Sequence, residues 1–462
     1  MKTLNRRQVL SALAGVPWLS RIGLAEGRQP REIELTLTAR KDWLRLGNSD
    51  AYLDTYNGAL PGPVIETRPG DRLLIHFRNE LPEPTNLHYH GLHVPPTGRA
   101  DNPMLSVPAR EQFDYQFEIP ANHPAGTFWY HPHLHGLAAA QLSRGLAGLI
   151  IVRGELDEIP EIAAAEEQFL VLQDFGLDRN AVPIEPTVMD SMNGREGGLV
   201  TVNGRVNPNV TLQESGWARL RIVNASSSRF YRLAIEEHSL HVIATDGGAL
   251  PAPIECSEVL MAPGERIDVM IEGSRPGGRY RMLNLPYQRT AGLRRAPQAE
   301  VLATVEYVGR ASDARSLPAK LVSVETLPEA SVLRSFTLGG GMGMGTMGGG
   351  GMAFTINGRT FDPRRVDTEV RLDTVEDWAF TNPTTMDHPM HIHTNPFQVI
   401  GANGMPTQAW KDVVIVPARS AVTVRTRFSD FTGRTMYHCH ILDHEDLGMM
   451  ATLQILASAG NA

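Results

Sequence analysis

Near its end the chain runs Tyr437-His438-Cys439-His440-Ile441-Leu442-Asp443-His444-Glu445-Asp446-Leu447-Gly448-Met449-Met450. No other feature restricts the fold as much. A thiolate, imidazoles and a thioether make up a blue-copper ligand set, with two His and one Cys roughly trigonal and a weak axial Met. That set lacks one imidazole here, and it leaves His438 and His440 without a role. On a strand, residues i and i+2 share a face, so Cys439 points one way and both flanking histidines point the other. The rest of the chain must bring a histidine to the cysteine face and further ligands to the opposite face.

Three other clusters meet that need: Leu87-His88-Tyr89-His90-Gly91, Trp129-Tyr130-His131-Pro132-His133-Leu134-His135-Gly136 and Asp387-His388-Pro389-Met390-His391-Ile392-His393. With the last stretch they account for most of the chain's 16 histidines. Each His-x-His on a strand presents two imidazoles side by side, and neutral imidazole suits copper, zinc, iron or nickel. A single such pair is more often solvated or hydrogen-bonded. Four in one chain are hard to explain as background. His388 can supply the imidazole that Cys439, His444 and Met449 lack. The two sites would then lie on the order of 10 Å apart through a few covalent bonds, a built-in path for electrons.

Elsewhere the pattern is strand-like. Ile33-Glu34-Leu35-Thr36-Leu37-Thr38 alternates apolar and polar, residues 72–77 run largely apolar, and Pro61-Gly62-Pro63 and Pro69-Gly70-Asp71 supply turns. Residues 218–224, 232–235 and 266–271 form a second group of such runs, and residues 369–372 and 421–425 a third. Pro69-Gly70-Asp71 and Pro263-Gly264-Glu265 precede comparable strands. A chain of 462 residues fits about three domains of roughly 150 residues. The prediction is an all-β protein of three consecutive β-sandwich domains over residues 30–155, 165–310 and 328–462. Residues 338–352, alternating Gly with Met, are expected as a flexible loop whose thioethers offer a weak site for soft Cu(I).

At the N-terminus, Asn5-Arg6-Arg7-Gln8-Val9-Leu10, a short apolar run and Gly23-Leu24-Ala25 match a twin-arginine export signal over residues 1–25. Pro17 and the short apolar length argue against a membrane-spanning helix. The expectation is a periplasmic or otherwise extracytoplasmic monomer, exported folded by the twin-arginine machinery. The formal net charge is -8, and residues 1–25 carry four basic side chains and no acid, so the exported chain would be more acidic still. That argues against nucleic acid or an anionic membrane as the main partner. Two cysteines, Cys256 and Cys439, make no disulfide framework. Cys256 is expected as a buried thiol in a strand.

With these residues in view, the chain resembles the multicopper oxidases, the family of laccases and bacterial cuprous oxidases. The resemblance rests on His-Tyr-His-Gly, His-Pro-His, His-Pro-Met-His-Ile-His and His-Cys-His-x-x-x-His-x-x-x-x-Met, in that order, and extends to Met261-Ala262-Pro263-Gly264-Glu265-Arg266. It implies cupredoxin-like Greek-key domains and four copper ions, with a trinuclear cluster between the first and third domains. By this resemblance His388, Cys439, His444 and axial Met449 hold the type 1 copper, and His88 and His391 the type 2 copper. His90, His131, His133, His393, His438 and His440 hold the two type 3 coppers. Met450 lies one position beyond the family's methionine, and His135 falls outside its pattern. His93 reads as a supporting or surface residue, and His76, His123, His238 and His241 as ordinary histidines. Tyr89 stands where Trp is commoner.

Glu445 resembles the family's carboxylate that feeds protons toward the type 3 coppers. Asp101 resembles the acid near the type 2 copper, at a longer spacing. Asp412 and Asp446 are candidates for orienting ligand imidazoles. The implied activity couples four one-electron oxidations of Cu(I), or of phenols and aromatic amines, to reduction of O2 to two waters, with a role in copper tolerance. The runner-up is a general laccase with a phenolic substrate. A copper-free scaffold relative would have lost ligands, and a storage protein has no use for the trinuclear set. A two-domain-type nitrite reductase has no need of the paired type 3 histidines. Copper analysis and O2 consumption separate these readings.

Overall fold

The computed structural model describes residues 29–290, 298–313, 315–342 and 352–458. The export signal expected over residues 1–25 lies outside the described residues, as do residues 343–351 of the Met/Gly-rich stretch.

Six sheets fall two by two along the described chain. Glu32–Leu46 pairs antiparallel with Ser49–Tyr56 and parallel with Arg72–Asn79. The same arrangement recurs twice. Glu166–Phe175 pairs antiparallel with Leu199–Val202 and parallel with Trp217–Asn224. Val332–Met342 pairs antiparallel with Met352–Ile356 and parallel with Thr374–Asn382. A weak repeat in sequence is thus a clear repeat in topology: three consecutive cupredoxin-like sandwiches. The turns that mark it match as well, since Gly70 and Gly264 both take a left-handed φ, +86° and +87°, just before Arg72–Asn79 and Arg266–Glu272.

Alternation explains the strands with one buried face. In Arg72–Asn79, Leu73, Ile75 and Phe77 are buried and Arg72 and Arg78 exposed. Gly148–Val152 is buried at every position. Ile150 and Val152 enter the first core, while Leu149 packs with Val171 and Val223 of the second sandwich and Leu442 of the third. That junction brings the first and third sandwiches together beside the middle one.

Two expectations are corrected. The loop predicted over 338–352 is strand at both ends, paired in register from Leu338 opposite Ile356 to Met342 opposite Met352. A ladder needs only backbone N–H and C=O groups, so glycine runs conceal it. Cys256 ends the strand Gly248–Cys256 and is half-buried, not buried. Among the described residues, no helix is long and apolar enough to cross a membrane.

Candidate metal centres

Two strand pairs build the centres. His88–His90 lies antiparallel to Gly126–His131 with His88 opposite His131. His388–Ile392 lies antiparallel to Gly433–Cys439, with Met390 opposite Cys439 and His391 opposite His438. His133, His393 and His440 sit just past strand ends, so alternation alone does not place them. The two pairs face each other and enclose a nest of eight imidazoles, none more than 1% exposed: His88, His90, His131, His133, His391, His393, His438 and His440. His90 stacks on His391 at 3.9 Å and His88 on His393 at 4.1 Å, each pair joining the first sandwich to the third. The ring of His440 stands 4.9 Å from that of His90 and 5.6 Å from that of His131.

Hydrogen bonds at the outer nitrogens set the tautomers. His88 donates Nδ1–H to Asp101 at 2.9 Å, and His131 donates Nδ1–H to the Pro132 carbonyl at 2.9 Å. His391 donates Nδ1–H to the Asp412 carbonyl at 2.8 Å. His438 donates Nδ1–H to the Cys439 carbonyl at 3.1 Å. His90 is the reverse case, donating Nε2–H to Asp412 Oδ1 at 2.9 Å. In each, the other nitrogen is a bare lone pair turned inward.

Buried ring nitrogens without partners are the observation to be explained. Nε2 of His88 and of His391, Nδ1 of His133 and of His393, and both nitrogens of His440 are buried without a hydrogen-bond partner, a situation that ordinarily costs about 1–3 kcal/mol per group. The Nε2 atoms of His133, His393 and His438 form a triangle with sides of 3.0, 3.1 and 3.0 Å. Three neutral imidazoles cannot all hydrogen-bond to one another in that way, whereas a single small cation satisfies all three. Burial first, and then mutual repulsion, disfavours protonation. His438 is held down at about 3 and His133 at about 4, and His88, His90, His131, His393 and His440 all lie well below the ordinary imidazole value. Those seven imidazoles are therefore neutral, the form that binds metal.

On the opposite face of the same strand, Cys439 Sγ lies 3.5 Å from His388 Nδ1 and 3.8 Å from His444 Nδ1, and the two nitrogens are 3.3 Å apart. His444 belongs to a short helix, Leu442–Asp446, which turns the chain back toward Cys439. The Cys439 N–H then donates to the Met449 carbonyl at 3.0 Å, and Met449 is buried in the same core cluster as Cys439. Met450 is buried in the strand Met450–Leu456. Burial pushes the Cys439 thiol up and holds His388 down at about 3. A cation is what would make this thiol a thiolate. One buried sulfur with two imidazoles and a methionine in the same buried cluster, beside a nest of imidazoles alone, is a donor set that fits copper.

Four partners of this centre escaped the sequence argument. His444 donates Nε2–H to the Met192 carbonyl at 3.0 Å, and Phe354 stacks on its ring at 3.8 Å. His388 Nε2 bonds Thr384 Oγ1 at 3.1 Å. Arg195 grips Asp443, the neighbour of His444, at 2.8 Å. Met192 acts through its backbone and Phe354 through a ring face, so neither leaves a signature in residue type.

The carboxylates sort differently. Asp101 also accepts the Tyr89 N–H at 3.0 Å, and burial pushes it up to about 8. Glu445 lies fully buried, with Oε2 3.1 Å from His438 Nδ1 and Oε1 3.7 Å from His133 Nε2. Neither of its oxygens is in a well-formed hydrogen bond, and burial pushes it up too. Asp412 orients two imidazoles, as above. Asp446 orients none: it accepts the N–H groups of Gly136 and Ala139. His135 is exposed against Phe361, and His93 binds the Thr394 carbonyl and Asp430.

Comparison with known proteins agrees with this geometry. Sequence profiles described as multicopper oxidase match residues 38–157, 171–308 and 335–458. The chain is 30% identical to a multicopper oxidase of Staphylococcus haemolyticus over 87% of its own length and 83% of that protein. It is 29% identical to the cell division protein FtsP of Dickeya dadantii over 95% and 92%. A solved multicopper oxidase from Campylobacter jejuni, described as a metallo-oxidase, superposes with a TM-score of 0.83 at 32% identity, covering 93% of each chain. Matches along all three sandwiches, together with two buried donor sets suited to copper, mean that the chain belongs to the multicopper oxidase family.

Proposed function

We propose that the protein is a four-copper oxidase coupling four one-electron oxidations of Cu(I) to the reduction of O2 to two waters, in the service of copper tolerance. Phenols and aromatic amines are secondary reductants. It works as a monomer in the periplasm or another extracytoplasmic space, exported folded by the twin-arginine route that Arg6-Arg7 and the following apolar run suggest. The observation that carries the oxidase reading is the convergence of unpartnered, buried imidazole nitrogens on one face of Cys439 while its sulfur meets His388 and His444 on the other.

His388, Cys439 and His444, with the buried Met449 from the same core cluster, would hold a type 1 copper. His88 and His391 would hold the type 2 ion, and His90, His131, His133, His393, His438 and His440 the type 3 pair. When bound, copper supplies one-electron redox chemistry and the place where O2 is reduced. Cys439 joins the two centres through its own backbone to His438 and His440. Met192 orients His444, and Phe354 excludes water from its ring. The two waters require four protons. Glu445, raised by burial and set between His133 and His438, is placed to hold and pass them. Asp101, on Nδ1 of His88, serves the opposite side of the nest.

The Cu(I) reading is supported by the Met/Gly-rich residues 338–352 and by the relative described as a metallo-oxidase. For an aromatic reductant, a cavity of about 460 Å³ is lined by Phe175, Leu177, Ile184, Asp190 and Arg195, the last of which holds Asp443 beside His444. The test compares kcat/KM for Cu(I) and for a phenol, with and without residues 343–351. Loss of Cu(I) turnover alone is expected, and unchanged Cu(I) oxidation removes the stretch from copper delivery. A scaffold role is the second reading, prompted by the FtsP relative. Copper analysis that finds none bound, with no O2 uptake on any reductant, would overturn the oxidase reading and leave this one standing.

A further inference from the structure

We infer that Arg266, in the sandwich that supplies no ligand, is a positioning residue that sets two imidazoles of the histidine nest through Asp412. The inference rests on the copper reading above.

Arg266 follows the turn Pro263-Gly264-Glu265 and opens the strand Arg266–Glu272. Its side chain is fully buried, and each of its five N–H groups has an acceptor. Nη1 and Nη2 bind Asp412 Oδ1 and Oδ2 at 2.6 Å each. Nη1 also reaches the Gly264 carbonyl at 3.2 Å, Nη2 the Asp246 carbonyl at 2.7 Å, and Nε the Thr127 carbonyl at 3.1 Å. A guanidinium has five donors in a rigid fork, so none is left free to let it rotate. Its contacts span all three sandwiches: Thr127 lies on the strand that ends in His131, and Asp412 belongs to the third.

Asp412 is the transmitter. Its Oδ1 accepts the Nε2–H of His90, and its carbonyl accepts the Nδ1–H of His391. The two rings stack, one from each ligand-bearing sandwich. The carboxylate thus fixes the nitrogen that His90 turns inward, and its Oδ1, 3.5 Å from His391 Nδ1, together with the carbonyl of the same residue does so for His391. The fork holds both carboxylate oxygens at once, which Lys cannot do. The same turn touches the nest directly, since a Cβ on Gly264 would fall 2.8 Å from Cδ2 of His440. Behind it, Lys411 bridges Asp246 and Glu265 at 2.9 and 2.8 Å and closes the outer side of the network.

Arg266→Lys keeps the charge and breaks the fork. Expected are copper binding in the nest weakened about 10–100-fold, an altered type 2 electron-paramagnetic signal, and unchanged type 1 blue absorbance per chain. Asp412→Asn should do the same, and the double variant should be no worse than either single change, because both remove one coupling. Both changes are conservative enough to keep the fold, which removing the buried charge outright would endanger. The control is Arg221→Met. Arg221 is another fully buried arginine of the middle sandwich, paired with Glu167, Asp157 and Asp268 and bonded to the Thr127 hydroxyl, with no imidazole among its hydrogen-bond and ion-pair partners in the described residues. It should lower Tm and leave copper content alone. An Arg266→Lys protein with wild-type copper affinity and type 2 signal overturns the inference. A wild-type protein that takes up no copper in the nest fails the underlying reading instead, so the two failures are distinct.

Discussion

At Cys439, a single residue connects two centres through its own peptide bonds, and exchange of one atom tests this. Cys439→Ser leaves nearly the same volume in a fully buried place and costs about 1 kcal/mol in an imperfectly bonded hydroxyl. The protein should stay folded while the blue colour and turnover vanish, and a blue, active variant would falsify the ligand assignment. Glu445→Gln keeps shape but cannot carry a proton. Copper content should persist while turnover falls by about 10²-fold, and an unchanged rate removes Glu445 from the proton route. Both residues were legible in sequence because the ligand motif surrounds them. The Met192 carbonyl over His444 was not, because a backbone group has no signature.

Among the elements, the strands were legible and the shortest pieces were not. Alternation over Arg72–Asn79 is unmistakable, but the helix Leu442–Asp446 has five residues, too few to show a 3.6-residue period. The turn after His88–His90 is as consequential as the strand. Gly91 has φ +86°, and a Cβ there would fall 2.2 Å from Arg266 Nη2 and 2.7 Å from Asp412 Oδ2. Gly91→Ala must strain the backbone by about 1–3 kcal/mol and push the fork aside. Thermal melting several degrees lower, together with copper lost from the nest, is the expected result. A wild-type Tm and a full copper complement would show that the turn has room after all.

Across the whole molecule, the buried imidazoles make stability depend on pH when copper is removed. His388 and His438 stay neutral down to about 3 and His133 to about 4 in the folded protein, against about 6.5 when unfolded. Between those values the unfolded chain binds more protons, so stability rises with pH through that window and is lost as pH falls below about 6.5. The slope is about 1.4 kcal/mol per pH unit for each such histidine. Melting of the copper-free protein should drop steeply from pH 7 to 5, and the copper-loaded protein should hold its Tm further down. A flat profile for the copper-free form would mean that its imidazoles are not held neutral.

The amino-acid sequence by itself determined the donor types, the strand character of the chain and the opposite facing of Cys439 and His438. The last follows from strand geometry between chain neighbours. Only the tertiary structure decided which imidazole meets which, which nitrogen each turns inward, and that the ligand-free middle sandwich reaches the nest. Those outcomes depend on pairs such as His88 with His393, Met192 with His444 and Arg266 with Asp412. Their members are far apart along the chain, and burial and hydrogen bonding bring them together only once all three sandwiches have closed on one another.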